Sequence, residues 1–439
     1  MGNSGKGSGK PAGKAGLKPD GVKGKPASTG NATEVRKPEA VGEKAIQAEV
    51  TTEKKGFDFP AYLKSFAWVY PVALILIMVL MFYIRAVPSH DVVFTDWTEK
   101  YVNIAADDAP EQMRLVFNTL ANFPNRIFYD PYTHYPFGST VHFGPFFTLM
   151  IAGASLIVGL GNPSAETVTA VGAYTPVILG MLCAIPTYFI GRKLYGRKIG
   201  ILAAATLALI PGQFLARSML GFTDHHIAEV LFSVMTVAFL IYALDHAKSS
   251  GLNVDKIKNR DRNALVALGF AALAGVSFGL YMLSWPGALL VGFVLFIYFV
   301  IQSIVDHTKD TPMDYMVIVA AALYLIPAIM VLPYSLSDFH MQLLYYSITQ
   351  PIFMCLALAG IGVIYGLSRV LKSNKVETWA FPVALLGIGV IGLLVILHRT
   401  PTAVQSDYRR VQRLHAQRWH ALGAGGPVVL HEPGWPVHL

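Results

Sequence analysis

The decapeptide GFTDHHIAEV, residues 221–230, sets Asp224, His225 and His226 side by side between two apolar runs, GILAAATLALIPGQFLA before it and VLFSVMTVAFLIYAL after it. A carboxylate and an imidazole two residues apart, Asp224 and His226, can turn toward one ion around a tight turn. Oxygen-rich donor sets with one or two imidazoles favour Mn2+ or Mg2+, and histidine tilts the choice toward Mn2+. Asp-X-His alone is a weak signal, because histidines beside an aspartate are also ordinary interfacial chemistry. A second acid adds to it. AADD (105–108) runs into APEQMRLVFNTL, a helix-like stretch, so Asp108 falls near a helix start. A carboxylate there is a natural cap; capping and ion binding both fit the position. A charge at the bilayer centre costs about 2.5–3.5 kcal/mol, so both aspartates belong at an interface or in a cavity.

The elements that must position them are membrane helices. Of 439 residues, 54% are hydrophobic and 14% charged, against about 25% charged in a soluble domain. A span needs roughly 20 apolar residues. Nine runs qualify: 66–84, 168–190, 199–216, 227–244, 264–283, 287–305, 315–333, 351–368 and 378–397. The chain is thus expected to be an all-α polytopic membrane protein with about nine transmembrane helices. The run FFTLMIAGASLIVGLG, 146–161, is shorter and glycine-rich. Basic residues cluster in 191–198, 246–263, 306–310 and 368–375. All four share a face with the N-terminus only if 146–161 does not cross, which makes it an interfacial or re-entrant helix. The positive-inside rule then puts that face in the cytoplasm. Loop 85–167, GFTDHH and loop 334–350 fall on the extracytoplasmic face.

Residues 1–56 hold ten lysines and one arginine among Gly, Ser, Ala and Pro. This is expected to be a disordered cytoplasmic tail with weak attraction to anionic membrane lipid, and no nucleic-acid partner is expected. Asn31-Ala32-Thr33 spells a glycosylation sequon on the inner face, where it should stay unmodified. Cys183 and Cys355 lie in apolar runs and form no metal-type or disulfide pattern. The membrane domain is read as 57–398.

The stretch ADDAPEQMRLVFNTLANFPNRIFYDPYTHYPFGSTVHFGPFF, followed some eighty residues later by RSMLGFTDHHIAEV, resembles the catalytic subunit of oligosaccharyltransferase, in its archaeal form above all; YMLSWPGALL, 281–290, also fits. The resemblance covers 60–398. It implies a GT-C glycosyltransferase fold and a metal-dependent, inverting transfer. An oligosaccharide would pass from a dolichyl phosphate or pyrophosphate carrier to Asn of Asn-X-Ser/Thr in an acceptor protein. It assigns metal binding to Asp108, Asp224 and His226, and a second duty on the acceptor amide to Asp108. His142 and His225 become secondary, and Arg217 either contacts phosphate or positions Asp224. Arg126, Asp130 and His134 are expected to brace the loop, and Trp285 to anchor at the interface.

Two features of that family do not occur in this sequence: an outer-loop Thr-Ile-X-Glu-type motif and WWDYG, which reads the sequon. Residues 399–439 hold five Arg and four His but no Ile, Phe, Met or Lys, an abrupt change that suggests a frameshifted end. Weak or absent transfer by this chain alone is therefore expected. Another lipid-sugar-dependent transferase, such as a protein O-mannosyltransferase or an aminoarabinose-type enzyme, shares the acidic first loop but not the joint motif. A transporter would want charges within the spans, and these spans hold almost none.

Overall fold

The structure is a computed structural model. It describes residues 66–95, 104, 107–133, 137–336, 341–343, 345–392, 394–395 and 398. The lysine-rich tail, the 31–33 sequon, His134 and segment 399–439 lie outside the described residues.

In chain order the elements are α1 (Val69–Ala86), α2 (His90–Val93), α3 (Ala109–Ala121), β1 (Tyr129–Asp130), β2 (Ser139–Thr140), α4 (Pro145–Val158), α5 (Ala165–Leu182), α6 (Ala184–Tyr195), α7 (Arg197–Leu209), α8 (Gln213–Ala216), α9 (His226–Ser250), α10 (Val254–Lys258), α11 (Arg262–Ser284), α12 (Leu289–Thr308), α13 (Asp314–Ser335) and α14 (Thr349–Ser373), with α15 (Ala380–Gly392) last. The two strands form one short antiparallel pair, Tyr129 opposite Thr140. The all-helical expectation holds apart from that hairpin in the first loop.

Seven helical runs among the described residues are long and apolar enough to cross a membrane: α1, the α5–α6 pair, α9, α11, α12 with its leading 3-10 turn, α13 and α14. The expected nine include two that differ. The last, 378–397, is helical over Ala380–Gly392. The third, 199–216, is broken. Helix α7 stops at Leu209, Ile210 turns extended, and Gly212 takes φ +102° before α8 begins. Pro211 explains the break, because a proline disfavours helical backbone at the residue before it and lacks an N–H.

The broken segment still traverses the bundle. Gly200 lies against Gly191, Ser218 against Gly180, and the Thr223 hydroxyl donates to the Gly172 carbonyl at 2.9 Å. Gly172 and Gly191 are 19 residues apart, about 28 Å along a helix, close to the ~30 Å of a hydrocarbon core. The return therefore delivers Asp224 to the end of the bundle where α5 begins. Arg85, at the end of α1, accepts a hydrogen bond from Leu220 N at 3.0 Å, so α1 ends at that level too. The loop carrying α3 and α4 starts from the same end. Helix α4, with 14 residues, is about 21 Å long, too short to span alone; it packs on α3, α5 and α11.

The core sits between α9, α11 and α13. Ala264, Ala267, Ala271 and Ala274 recur along α11 at three- and four-residue steps and are fully buried. Small residues on one stripe let helix backbones approach closely, as membrane bundles require. At the far end the basic clusters are tied to acids: Lys193 to Asp245, Lys248 to Asp306 and Lys372 to Asp310.

Gly144 joins β2 to α4 beneath the end of α11. A methyl there would lie 2.1 Å from the Leu283 carbonyl oxygen, and backbone cannot yield cheaply. Gly144→Ala is expected to destabilise by about 1–3 kcal/mol, read as a lower Tm in detergent. Gly153→Ala, whose methyl meets nothing within 4 Å, should leave Tm unchanged or slightly higher.

Candidate metal centre

The 221–226 turn is fixed before its side chains matter. Gly221, at φ +84°, donates its N–H to the Ala173 carbonyl at 3.0 Å. Asp224 N donates to Phe222 O at 2.8 Å. Helix α9 begins at His226, with His225 as its N-cap residue. Asp224 and His225 are only 2% and 4% exposed, whereas the His226 side chain is 32% exposed. The cluster thus opens on the His226 side.

The two imidazoles bridge the same two carboxylates. His225 Nδ1 is 2.6 Å from Asp224 Oδ1, which also accepts the His225 backbone N–H at 2.7 Å. His225 Nε2 is 3.2 Å from Glu229 Oε1. His226 Nε2 is 3.1 Å from Asp224 Oδ2, and its Nδ1 is 2.9 Å from Glu229 Oε1. Burial would push the Asp224 carboxyl up; hydrogen bonds from His225 and the charge of the neighbouring imidazoles hold it below its ordinary value. Asp224 is therefore a carboxylate at neutral pH.

This donor set fits a divalent ion. One ligand atom each from Asp224, His225 and His226 lies within 4.8 Å of the others. Oxygen and imidazole ligands of this kind suit Mn2+. Glu229, set against both rings, fixes their orientation, as carboxylates behind metal-binding histidines do. Gln112 of α3 is fully buried, with its amide nitrogen 3.2 Å from His225 Nδ1. Its buried amide oxygen has no hydrogen-bond partner, an orphan acceptor at the edge of the cluster.

Asp108 is the residue before α3, and its side chain makes no capping hydrogen bond. Capping therefore does not account for this carboxylate. It stands one helical turn before Gln112, on the same side of α3, since residues four apart are neighbours on a helix. It is not among the atoms that fall within 4.8 Å. Arg217 is bonded to Gln213 at 2.8 Å, and its charge is felt at His226. His142 is exposed and packs on Phe143 and Tyr345, with ring centroids 4.0 and 6.2 Å away. Phe143 in turn sets its edge against His225 at 5.6 Å. So the 142–143 segment reaches the cluster through the phenylalanine.

The loop is braced by residues of the kind expected. Arg114 pairs with buried Asp130, and Arg126 donates to the Phe143 carbonyl at 3.1 Å. Glu229 and Gln112 escaped the sequence analysis. Glu229 lies within the quoted decapeptide, three and four residues after the histidines. That spacing puts it on their face once a helix is known to start at His226. Gln112 carried the same signal relative to Asp108.

The family model described as "Oligosaccharyl transferase STT3, N-terminal" matches residues 75–397. The dolichyl-monophosphooligosaccharide–protein glycotransferase AglB of Haloferax volcanii is 31% identical over 355 residues, 79% of this chain and 32% of that protein. The chain spans about a third of the length of the curated relatives it matches. The Archaeoglobus fulgidus oligosaccharyltransferase tethered to an acceptor peptide containing the NVT sequon superposes with a TM-score of 0.66 at 25% identity. That match covers 77% of this chain and 39% of the other. The same enzyme in complex with Zn and sulfate gives a TM-score of 0.63 at 26% identity over 74% and 40%.

Mn2+ binding, followed by the EPR signal of the free ion, is expected to saturate at one site. Asp224→Ala should weaken it by 100-fold or more and Glu229→Gln by about tenfold. Affinity should rise with pH through the imidazole range, because an imidazole must be neutral to bind a metal. Unchanged binding by Asp224→Ala would remove the centre.

Proposed function

Because this chain belongs to the STT3 oligosaccharyl transferase family over residues 75–397, we propose that it holds the ion and donor side of an N-glycosylation site. The reaction is transfer of an oligosaccharide from a dolichyl phosphate or pyrophosphate carrier to the side-chain amide of Asn in Asn-X-Ser/Thr. The observation that carries this is the convergence of Asp224, His225, His226 and Glu229, contacted by Gln112 one helical turn after Asp108. Support comes from the names of the relatives, which act on dolichyl-linked oligosaccharides and protein. The acceptor peptide with an NVT sequon bound to the related A. fulgidus enzyme supports the acceptor class. The complex of that enzyme with Zn and sulfate supports a divalent ion.

The residues divide the work by their chemistry. An amide nitrogen is a poor nucleophile because its lone pair is delocalised into the carbonyl. The Asp108 carboxylate hydrogen-bonds the acceptor NH2 and favours loss of that conjugation. Asp224 and His226, with Asp108, hold Mn2+ or Mg2+; His225 and Glu229 orient them, and His142 lies at the rim. When bound, the ion supplies Lewis-acid neutralisation of the departing phosphate oxygens, worth several kcal/mol. Arg217 faces the same phosphate from the mouth of the cluster. The amide nitrogen attacks the sugar carbon opposite the leaving oxygen, so a single displacement inverts that carbon. The basic end of the bundle is cytoplasmic by the positive-inside rule, which sets this centre on the extracytoplasmic side of the cell membrane.

Two measurements test this. Dolichyl phosphate binding to the chain in nanodiscs is expected to require Mn2+ and to weaken about tenfold in Arg217→Ala, the loss of one charge-assisted contact. Any mass gain on an Asn-Val-Thr peptide is expected to be slow with this chain alone and to disappear in Asp108→Ala and Asp224→Ala. Ion-independent lipid binding, or glycan found on Thr rather than Asn, contradicts the proposal.

A further inference from the structure

Helix α3 has a second working face. Taking Asp108 as the origin and about 100° per residue, Gln112 lies about 40° round the helix, and Pro110, Arg114 and Asn118 about 200–280° round. The first direction leads to the ion cluster. The second opens on a groove of about 810 Å³, lined by Glu111, Arg114, Asn118, Tyr129, Tyr132 and Thr133 among others. That volume lies within the roughly 300–1,000 Å³ of small-molecule sites.

The groove's lining selects a ligand chemistry. Its cation is already spent: Arg114 grips Asp130 with both arms of its guanidinium. Asp130 also accepts from Tyr132 N at 2.9 Å and the Thr133 hydroxyl at 3.0 Å. Among the described lining residues no positive charge is left for an anion. Glu111 is the one carboxylate left over among these lining residues, too few for a cation site. The Tyr132 ring, 78% exposed, is held flat by the Arg114 guanidinium 5.9 Å from its centroid. The Tyr129 ring is 54% exposed, while its hydroxyl is tied to the Phe137 carbonyl. What remains is aromatic faces plus one carboxylate and one amide, Glu111 and Asn118. Aromatic faces take the C–H face of a pyranose ring; a carboxylate and an amide take its neighbouring hydroxyls. The ordered Arg114–Asp130 pair fixes the platform before a ligand arrives, which lowers the ordering cost of binding.

We propose that this groove is a saccharide subsite that holds sugars of the lipid-borne glycan beyond the first one, whose carbon is attacked. The placement rests on the transferase function proposed above. A glycan whose first sugar lies at the ion cluster passes the start of α3 beside Asp108. Its later sugars then run along the 110–118 face.

The test is direct binding, separate from transfer. The probe is the glycan released by mild acid from the dolichyl lipids of the cells that make the chain, tagged at its reducing end. Fluorescence anisotropy with the full chain in nanodiscs reads the affinity. Tyr132→Ala should weaken binding by about tenfold, the scale of one lost ring contact; Tyr132→Phe should match the parent, and Asn118→Ala should weaken it further. Tyr132 is exposed, and an unchanged unfolding temperature confirms that the variants fold. Binding should persist when divalent ions are chelated. No binding by the parent chain, equal binding by Tyr132→Ala, or loss on chelation overturns the subsite. Loss on chelation places the glycan at the ion cluster instead. If dolichyl phosphate binding holds while glycan binding is absent, this assignment alone fails. If glycan binds but ion-dependent lipid binding fails, the transferase proposal fails and the groove stands.

Discussion

A buried acid, a partly buried one and two imidazoles at one end of a membrane bundle form the interaction on which the rest depends. A buried carboxylate without a partner is costly. Asp224 and Glu229 meet that cost by sharing His225 and His226, so neither acid nor imidazole stands alone. The same sharing keeps one ligand atom each of Asp224, His225 and His226 within 4.8 Å of one another, with Glu229 set against both rings. A divalent cation suits that point because it would neutralise the Asp224 carboxylate.

Such an array survives only if the backbone under it does not move. The return segment after Pro211 supplies that rigidity. It lies along α5, where Gly180 and Gly172 leave no side chain in the way of Ser218 and Thr223. The hydrogen bonds of Gly221 and Thr223 to α5 fix its end. Arg85 adds a second tie, since its Nε donates to the Ser218 hydroxyl at 2.8 Å while its carbonyl receives Leu220 N. Helix α3 then leans in from the first loop. Its Gln112 contacts the cluster and its Asp108 stands a turn before Gln112, so one short helix joins the loop to the 221–226 turn. The opposite face of that helix is braced by Arg114 and Asp130, which keeps both faces in register.

Much of this was legible in the residues. Composition and run length fixed the helical membrane class, and GFTDHH marked the turn because ionisable residues rarely interrupt apolar runs without cause. The short 146–161 run was recognisable as a helix that cannot span alone. The broken span was missed because its 18 residues are almost wholly apolar and carry no charge; Pro211-Gly212 signalled the break. Glu229 was missed because its partners became visible only with the exact start of α9. The approach of Tyr345 to His142 depends on segments some 200 residues apart. No local pattern in one sequence encodes such a meeting.

The most direct test of the central claim is an anomalous-scattering map from crystals of the chain grown with Mn2+. A single peak is predicted at coordination distance, about 2.0–2.3 Å, from Asp224 and His226, with the Asp108 carboxylate turned toward it. A peak elsewhere, or Asp108 directed away from the 224–226 turn, would contradict the account.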